Sequence, residues 1–562
     1  MISEDAAMVS ALSDQINVSA PVAKALCNRG VTTYDEAKQF FRATLDELAS
    51  PFLFCHMERA VHRIAQALEH DETIMLYGDY DVDGTTGTAM LYRYLQQLGA
   101  TRLFWYVNDR FTEGYGLSEQ GIDSAFKRGV KLLITIDCGI KENEAVAKCA
   151  AAGIDVVVCD HHEADLLPPA FAIINPKVPG STYPYRELCG CAVTFRLVQA
   201  LAMHVGLPDE SWQPYLDFVA IATAADMVAL DGENRILLKA GLEQIRQSPH
   251  PAIRAMASVM KVSHTDIGMF QIAFGIAPRI NAAGRMHSAH AAMDWLLAAE
   301  ETEGFRHAAF LDTLNQQRRK QDGEIMVRAE KMLSGHFSMY CSSIVLYDES
   351  WHLGVLGIVA AKLVDKHCLP AVILGGANGY VKGSVRSVDG LDIHDVLMQC
   401  SALLEQFGGH AQAAGVTLLP ENLTAFRKRF DELCRERLDI TQRQRVLDID
   451  TELGLDRIST RFLHLLEQFE PYGYGNREPL FLTSGLVLHG KPRLYRDRHL
   501  NFTLFDQAGR AFDVIAFDRR DLYDDLCQHR SPKFRMVYSI EKNSWKKHVV
   551  CQLRLRDLEL QP

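Results

Sequence analysis

The sequence predicts an α/β protein: a domain built on a mostly parallel sheet, a second α/β domain, and a small C-terminal β-barrel. Three observations predict it. From residue 51 to 290, apolar runs of strand length alternate with helix-length amphipathic stretches, the pattern of a parallel sheet made of crossover units. The same alternation recurs over 336–445. From 446 to 562, short strand-like runs follow one another, as in a small closed barrel of the OB type.

Bulk composition agrees. At about 100–200 residues per domain, 562 residues make three or four domains. Hydrophobic content of 48% fills several cores, and 23% charged residues is ordinary for a soluble chain. No run reaches the roughly 18 apolar residues that span a membrane. The start, Met1-Ile2-Ser3-Glu4-Asp5, has no basic region of the kind a signal peptide needs. Thirteen cysteines without a CxxC pair predict reduced thiols and a cytoplasmic protein. Cys189-Gly190-Cys191 reads as packing rather than ligation. The net charge of −12 argues against a wholly basic nucleic-acid binder. Between Gly490 and Arg556, however, 15 Lys/Arg face 8 Asp/Glu, so a basic module sits on an acidic body.

The elements follow in order. Residues 1–50 read as helices over 19–29 and 33–41, broken by Gly30, and attached to the first domain. In that domain, 51–290, strands are expected at 73–77, 102–107, 131–136, 154–159 and 170–174. Helices are expected at 85–98, 118–128, 143–152 and 192–204. Residues 291–335 read as a linking helix, charged on most sides around Gln316-Gln317-Arg318-Arg319-Lys320-Gln321. The second domain, 336–445, has strands at 343–347, 371–374 and 380–385, with helices at 357–366, 394–407 and 423–437. Barrel strands are expected at 480–488, 500–505, 512–517, 534–540 and 548–555. Tyr495, Phe502, Phe505, Phe517, Tyr538 and Trp545 lie there among Lys and Arg, the composition of a single-strand groove. Most must be core, leaving one or two as base platforms.

Chemistry gathers at strand ends. Asp160-His161-His162 follows Val156-Val157-Val158-Cys159. Asp79, Asp81 and Asp83 follow the first strand in Gly78-Asp79-Tyr80-Asp81-Val82-Asp83-Gly84, and Asp137 follows the third. In extended chain, alternate carboxylates face one way, so the first three should converge before Gly84 closes the loop. The 23 residues from Asp137 to Asp160 are about one crossover, which puts both at one carboxyl edge of the sheet. Carboxylates with imidazoles suit two Mn²⁺ or Mg²⁺ ions, which relieve the repulsion and form a hydrolytic centre at phosphorus. Asp226, in Ala224-Ala225-Asp226-Met227-Val228, is a further carboxylate at a helix end. On the substrate side, Pro278-Arg279-Ile280-Asn281-Ala282-Ala283-Gly284-Arg285, Gly383-Ser384-Val385-Arg386-Ser387 and Phe407-Gly408-Gly409-His410 offer cations and backbone N–H groups to an anion. Arg110, after the second strand, could meet a phosphate, and Tyr115 could stack or pack.

In this order, these motifs resemble the DHH phosphoesterase superfamily and, within it, the RecJ-type single-stranded-DNA exonucleases. Trp351-His352-Leu353-Gly354-Val355-Leu356-Gly357 and Gly473-Tyr474-Gly475-Asn476-Arg477 resemble them too, so the likeness spans nearly the whole chain. It implies a DHH domain, a DHH-associated domain across a cleft and an OB-fold. It implies 5′→3′ degradation of single-stranded DNA to 5′-mononucleotides by two-metal hydrolysis, in recombination and repair. By motif, Asp79, Asp81, Asp83, Asp137, His161 and Asp226 would ligate metal. Asp160 would orient the cluster and His162 would face the scissile phosphate. Arg279 would hold backbone phosphate, and Ser384, Arg386, Gly409 and His410 would contact the DNA end. The resemblance also implies a helicase and a single-strand-binding protein as partners; a monomer and no membrane attachment are expected. Small-substrate relatives generally lack the basic barrel, and binding-only relatives have lost metal ligands that are all present here.

Overall fold

The computed structural model describes residues 6–164, 166–336, 341–438, 446–506, 508–528, 533–545 and 548–561. The first sheet comprises β1 (Ile74–Gly78), β2 (Leu103–Val107), β3 (Leu132–Ile136), β4 (Asp155–Cys159) and β5 (Ala172–Ile174). All pairs are parallel, in the order β2-β1-β3-β4-β5. Runs such as Val156-Val157-Val158 form strands here because helices cover both faces, so every residue meets apolar neighbours. Register then does the positioning. Gly78 pairs with Ile136 and Ile136 with Cys159, so the three strands end level. Asp79, Asp137 and Asp160 are the next residues along each and leave the sheet at one edge. β1 is also where the chain order reverses, the usual place for a site in an open parallel sheet.

The link is a single helix, Glu301–His336. Midway, Asp322 binds Arg318 at 2.9 Å and Lys362 of the second domain at 2.6 Å, tying the link to that domain. The second sheet runs β6 (Ile344–Tyr347), β7 (Ala371–Ala377), β8 (Tyr380–Arg386), β10 (Ala413–Leu418), β9 (Gln406–Gly409), and only β6–β7 is parallel. The helix expected over 394–407 stops at Met398. Residues 406–409 instead pair with β10, because a strand ladder satisfies backbone groups that a glycine-rich segment holds poorly in a helix.

The C-terminal sheet joins β12 (Phe481–Tyr495), β13 (His499–Phe505), β14 (Ala511–Ala516), β16 (His548–Gln561) and β15 (Lys533–Trp545). β15 pairs back to β12, closing a five-stranded barrel, and the short β11 (Thr451–Glu452) lies outside it. Phe502 and Tyr538 are barrel core, whereas Tyr495 and Phe517 are exposed and Phe505 is intermediate. The side chain of Trp545 lies outside the described residues.

The N-terminal helices attach differently from the expectation. Val9, Leu12, Val22, Leu26 and Ala37 share one core with Leu453, Phe462, Phe469, Phe481 and Phe502 of the barrel region. The hydrophobic stripe of the helix Ala20–Cys27 finds its apolar surface at the other end of the chain. Residues from Phe40 to Ala49 reach the first domain.

Candidate metal centre and substrate cleft

Each acidic side chain is aimed by its own local structure. After β1 the chain turns directly into the helix Val82–Gln97, so Asp81 is its N-cap and accepts from the N–H groups of Asp83 (2.9 Å) and Gly84 (3.1 Å). The expected extended alternation of the three carboxylates is therefore replaced by a cap, with Asp83 in the first helical turn. Gly84 permits this turn, since a Cβ there would sit 2.5 Å from the Asp79 carbonyl oxygen. Asp83 is fully buried and accepts from the N–H groups of Gly190 (2.6 Å) and Cys191 (2.8 Å) at the start of the helix Gly190–Val205. Asp137 has φ 60°, a left-handed conformation seldom adopted by residues with a Cβ. Asp226 ends the helix Leu216–Ala225.

These elements converge. Asp79, Asp81 and Asp137 form one group with ligand atoms within 4.8 Å of one another. Asp83, His161 and Asp226 form a second, and Asp137, His161 and His162 a third. His161 Nε2 is 3.2 Å from Asp137, 3.8 Å from Asp226 and 3.9 Å from Asp83. Asp79 Oδ1, Asp137 Oδ1, His161 Nε2 and Asp226 Oδ2 are buried without a hydrogen bond. Orphaned polar atoms of this kind are costly unless a ligand completes them. Burial first, then the neighbouring carboxylates, push Asp137 and Asp79 well above the usual range. Burial, Asp83 and Asp81 push Asp226 up to about 9. Burial lowers His161, keeping its imidazole neutral and able to ligate. Buried oxygens with one imidazole nitrogen fit Mn²⁺ or Mg²⁺.

Asp160 sits beneath this cluster, fully buried. One oxygen accepts from the N–H groups of His161 (2.7 Å) and His162 (3.1 Å) and from His162 Nδ1 (2.8 Å); the other accepts from Ile140 N–H (3.0 Å). Burial alone would raise Asp160, but the hydrogen bond and charge of His162 hold it below the usual range. The same pairing raises His162 against the effect of its own burial. Tyr115 does more than pack: its hydroxyl donates to the Asp137 carbonyl at 3.1 Å and lies 3.2 Å from His162 Nδ1.

A cavity of about 610 Å³ opens beside the imidazoles, lined by Lys141, His161, His162, Lys177 and, from the second domain, His410. His410 follows Gly409 at the end of β9. Ser384 and Arg386 on β8 both face Gly357, in the first turn of the helix Leu356–His367. A Cβ on Gly357 would be 2.9 Å from the Arg386 guanidinium and 3.2 Å from the Ser384 hydroxyl. Arg110 lies over the Tyr80 ring at 5.1 Å, and its charge offsets part of the rise that burial and Asp81 impose on Asp79. Arg285 donates to the Gly354 carbonyl at 3.2 Å, and burial with the charges of Arg110, Arg386 and Arg318 pushes it down to about 9. Among the described residues none of Arg110, Arg285 and Arg386 has a carboxylate partner. Arg279 differs: it is paired with Asp312 at 2.7 Å and donates to the Gly275 carbonyl at 2.8 Å. Sequence reasoning missed Lys141, Lys177 and the Gly190-Cys191 amides, none of which carries a local signal; Arg285 was offered as a cation in the same motif as Arg279 but given no role of its own.

Comparison with known proteins agrees with this arrangement. Residues 73–223 match the DHH family N-terminal domain, 340–436 the DHHA1 domain, and 449–557 the RecJ OB domain. The chain is 34% identical over 556 residues to the single-stranded-DNA-specific exonuclease RecJ of Bacillus subtilis, covering 98% of this chain and 69% of that protein. It is 34% identical to the Haemophilus influenzae RecJ, covering 92% of each. The crystal structure of Thermus thermophilus RecJ in complex with Mn²⁺ superimposes with a TM-score of 0.85 at 27% identity, covering 100% of this chain and 79% of that one. A second structure, exonuclease RecJ bound to manganese, gives 0.61 at 31% identity, covering 69% and 96%.

Proposed function

Because the chain belongs to the RecJ family of single-stranded-DNA-specific exonucleases, we propose residue roles for a metal-dependent hydrolysis that proceeds from the 5′ end. The enzyme is a DHH phosphoesterase acting on single-stranded DNA, with Mn²⁺ or Mg²⁺ as cofactor. Asp79, Asp81, Asp83, Asp137, His161 and Asp226 would hold two ions. When bound, the ions neutralise the carboxylates, activate water and stabilise charge developing at phosphorus.

The chain's own groups do the rest. Asp160 fixes the His162 ring through Nδ1, so that Nε2 faces the cavity and the scissile phosphate. Asp160 favours the charged form of His162, which would donate to a phosphoryl oxygen. Ser384, Arg386 and the first turn of the helix Leu356–His367 form an anion seat for the 5′-terminal phosphate, with Arg110 and Arg285 adding charge. His410 lines the cavity from the second domain, and Gly409 beside it would join it in contacting the DNA end. An end seat on the second domain, held at a fixed distance from the metal ligands, would set the product at one nucleotide. Arg279 exchanges Asp312 for a backbone phosphate when the strand arrives. Action in the cytoplasm, in recombination and repair, beside a helicase and a single-strand-binding protein, completes the reading.

One observation carries it: orphaned ligand atoms on three level strand ends, beside a cavity that the second domain lines with His410. The test is single-stranded DNA labelled at either end, incubated with Mn²⁺, Mg²⁺ or EDTA, beside the Asp81→Ala, His161→Ala double variant. Metal-dependent release of mononucleotide from the 5′ label first, lost in the variant, is expected. Release from the 3′ label first, or hydrolysis of dinucleotides only, would overturn the polarity or the polymer substrate.

A further inference from the structure

We propose that the helical run from Met269 to Met286 is a base-stacking track, on which Phe270 and Phe274 take unpaired bases several nucleotides from the cleaved bond. The proposal rests on the reading above, in which the 5′ end is seated at Ser384 and Arg386.

The run comprises the helical turn Met269–Gln271, the π-helical turn Ile272–Ile276 and the α-helix Ala277–Met286. Its inner face is Ile272, Ile276 and Ile280, all fully buried. Its outer stripe is Phe270, Phe274, Pro278, Asn281 and Arg285, spaced as one side of a helix; the two phenylalanines are exposed and the other three half-buried. A π turn accommodates an extra residue, and such turns recur at functional sites. Here it coincides with Phe274 standing out beside Phe270: the residues are 63% and 67% exposed, and their ring centroids are 5.0 Å apart.

The two ends of the stripe differ in chemistry. At one end Arg285 joins the cluster with Arg110 and Arg386 where the strand's end is seated. At the other, roughly 20 Å away by helical rise, stands the aromatic pair. Met269, the residue before Phe270, borders the segment that precedes the barrel. The Met269 methyl lies 3.3 Å from where a Cβ of Gly473 would be, and the next residue, Tyr474, is 65% exposed.

The occupant is the substrate strand itself. Every base has a π face, so a phenyl surface binds bases without reading sequence, as an enzyme that degrades any strand requires. Duplex bases are already stacked on each other and offer no face, so the pair also favours single strands. The guanidinium cluster at the other end of the same stripe makes this surface continuous with the phosphate seat.

The experiment uses the full-length enzyme in EDTA with 5′-phosphorylated oligonucleotides, each carrying one 2-aminopurine at a successive position. The wild type is expected to change the probe's fluorescence in a short window of positions internal to the 5′ end. The Phe270→Ala, Phe274→Ala variant is expected to lose that window and to bind a long oligonucleotide roughly tenfold more weakly, while Phe270→Tyr, Phe274→Tyr retains both. An unchanged window and affinity in the alanine variant, with its thermal unfolding as in the wild type, would overturn the track. A window counted from the 3′ end but still abolished by the alanines would overturn the end-seating reading and leave the track standing.

Discussion

The carboxylate of Asp83 accepts a hydrogen bond from the backbone N–H of Gly190 at 2.6 Å, across 107 residues of chain. Gly190 also packs against Asp137, where a Cβ would lie 2.7 Å from the Asp137 Cβ. One glycine therefore sets two of the metal-facing carboxylates. Gly190→Ala would push Asp137 aside and lengthen the bond to Asp83, at an overpacking cost of about 1–3 kcal/mol. The expected outcome is at least a tenfold loss of Mn²⁺ affinity in calorimetry with a modest fall in Tm. Metal affinity equal to wild type would show that the close approach is incidental.

Arg235 joins three parts of the chain. Its guanidinium donates to the carbonyls of Phe40 (2.9 Å), Gln468 (2.9 Å), Phe469 (3.0 Å) and Glu470 (3.0 Å), and it lies over the Phe40 ring at 4.0 Å. Burial pushes it down to about 10. Arg235→Met would strand four carbonyl acceptors, of which that of Phe469 is buried, and hydrogen bonds to charged groups are each worth about 1.5–3 kcal/mol. Hydrogen exchange should speed up in the helix Ala20–Cys27 and around Phe469, while β1 and β3 stay protected. Uniform acceleration over the whole chain would mean that the barrel unit is not held at this point.

How much of this was legible depended on range. Asp79, Asp137 and Asp160 could be found because apolar runs stop abruptly just before them, which is a local signal. That the three runs end level is a matter of register, which the 23-residue spacing of Asp137 and Asp160 only suggested. Asp83 was expected in extended chain after the strand, with the helix starting past Gly84, because a GDYDVDG segment does not show which of its aspartates caps the helix. The shared core of Leu26 with Phe502 was hidden, since an amphipathic stripe says that it must be covered but not by what. The hairpin of β9 and β10 was hidden too: Phe407-Gly408-Gly409-His410 reads as a glycine-rich turn, and the small residues of 406–415 give no apolar–polar alternation to mark a strand.

Arg279 is held by Asp312, which is also bound by Gln316 at 2.7 Å. A phosphate that takes Arg279 must displace this carboxylate. Asp312→Asn removes the competing charge and retains the shape. The KM for single-stranded DNA should fall about three- to tenfold at low salt, and the salt dependence of binding should steepen by close to one phosphate contact. A KM that rises or stays level would assign Arg279 to holding the helix Glu301–His336 in place, not to the strand.

The carboxylates themselves make metal binding a competition with protons. Asp226 is pushed up to about 9, with burial the largest cause, and Asp79, Asp83 and Asp137 are also raised. A carboxyl whose folded value exceeds its unfolded value of about 3.9 binds more protons when folded. The metal-free protein should then lose stability as pH rises from about 4 toward 9, the reverse of the usual acid lability. A divalent cation replaces those protons, so its apparent affinity should climb with pH over the same range, and binding should release protons into the buffer. Thermal unfolding in EDTA at pH 6 and pH 8.5, repeated with Mn²⁺, reads both effects. The stabilisation by Mn²⁺ should be larger at the higher pH, and Asp226→Asn should shrink the difference between the two. Equal Mn²⁺ stabilisation at both values would mean that the cluster is already ionised in the metal-free protein.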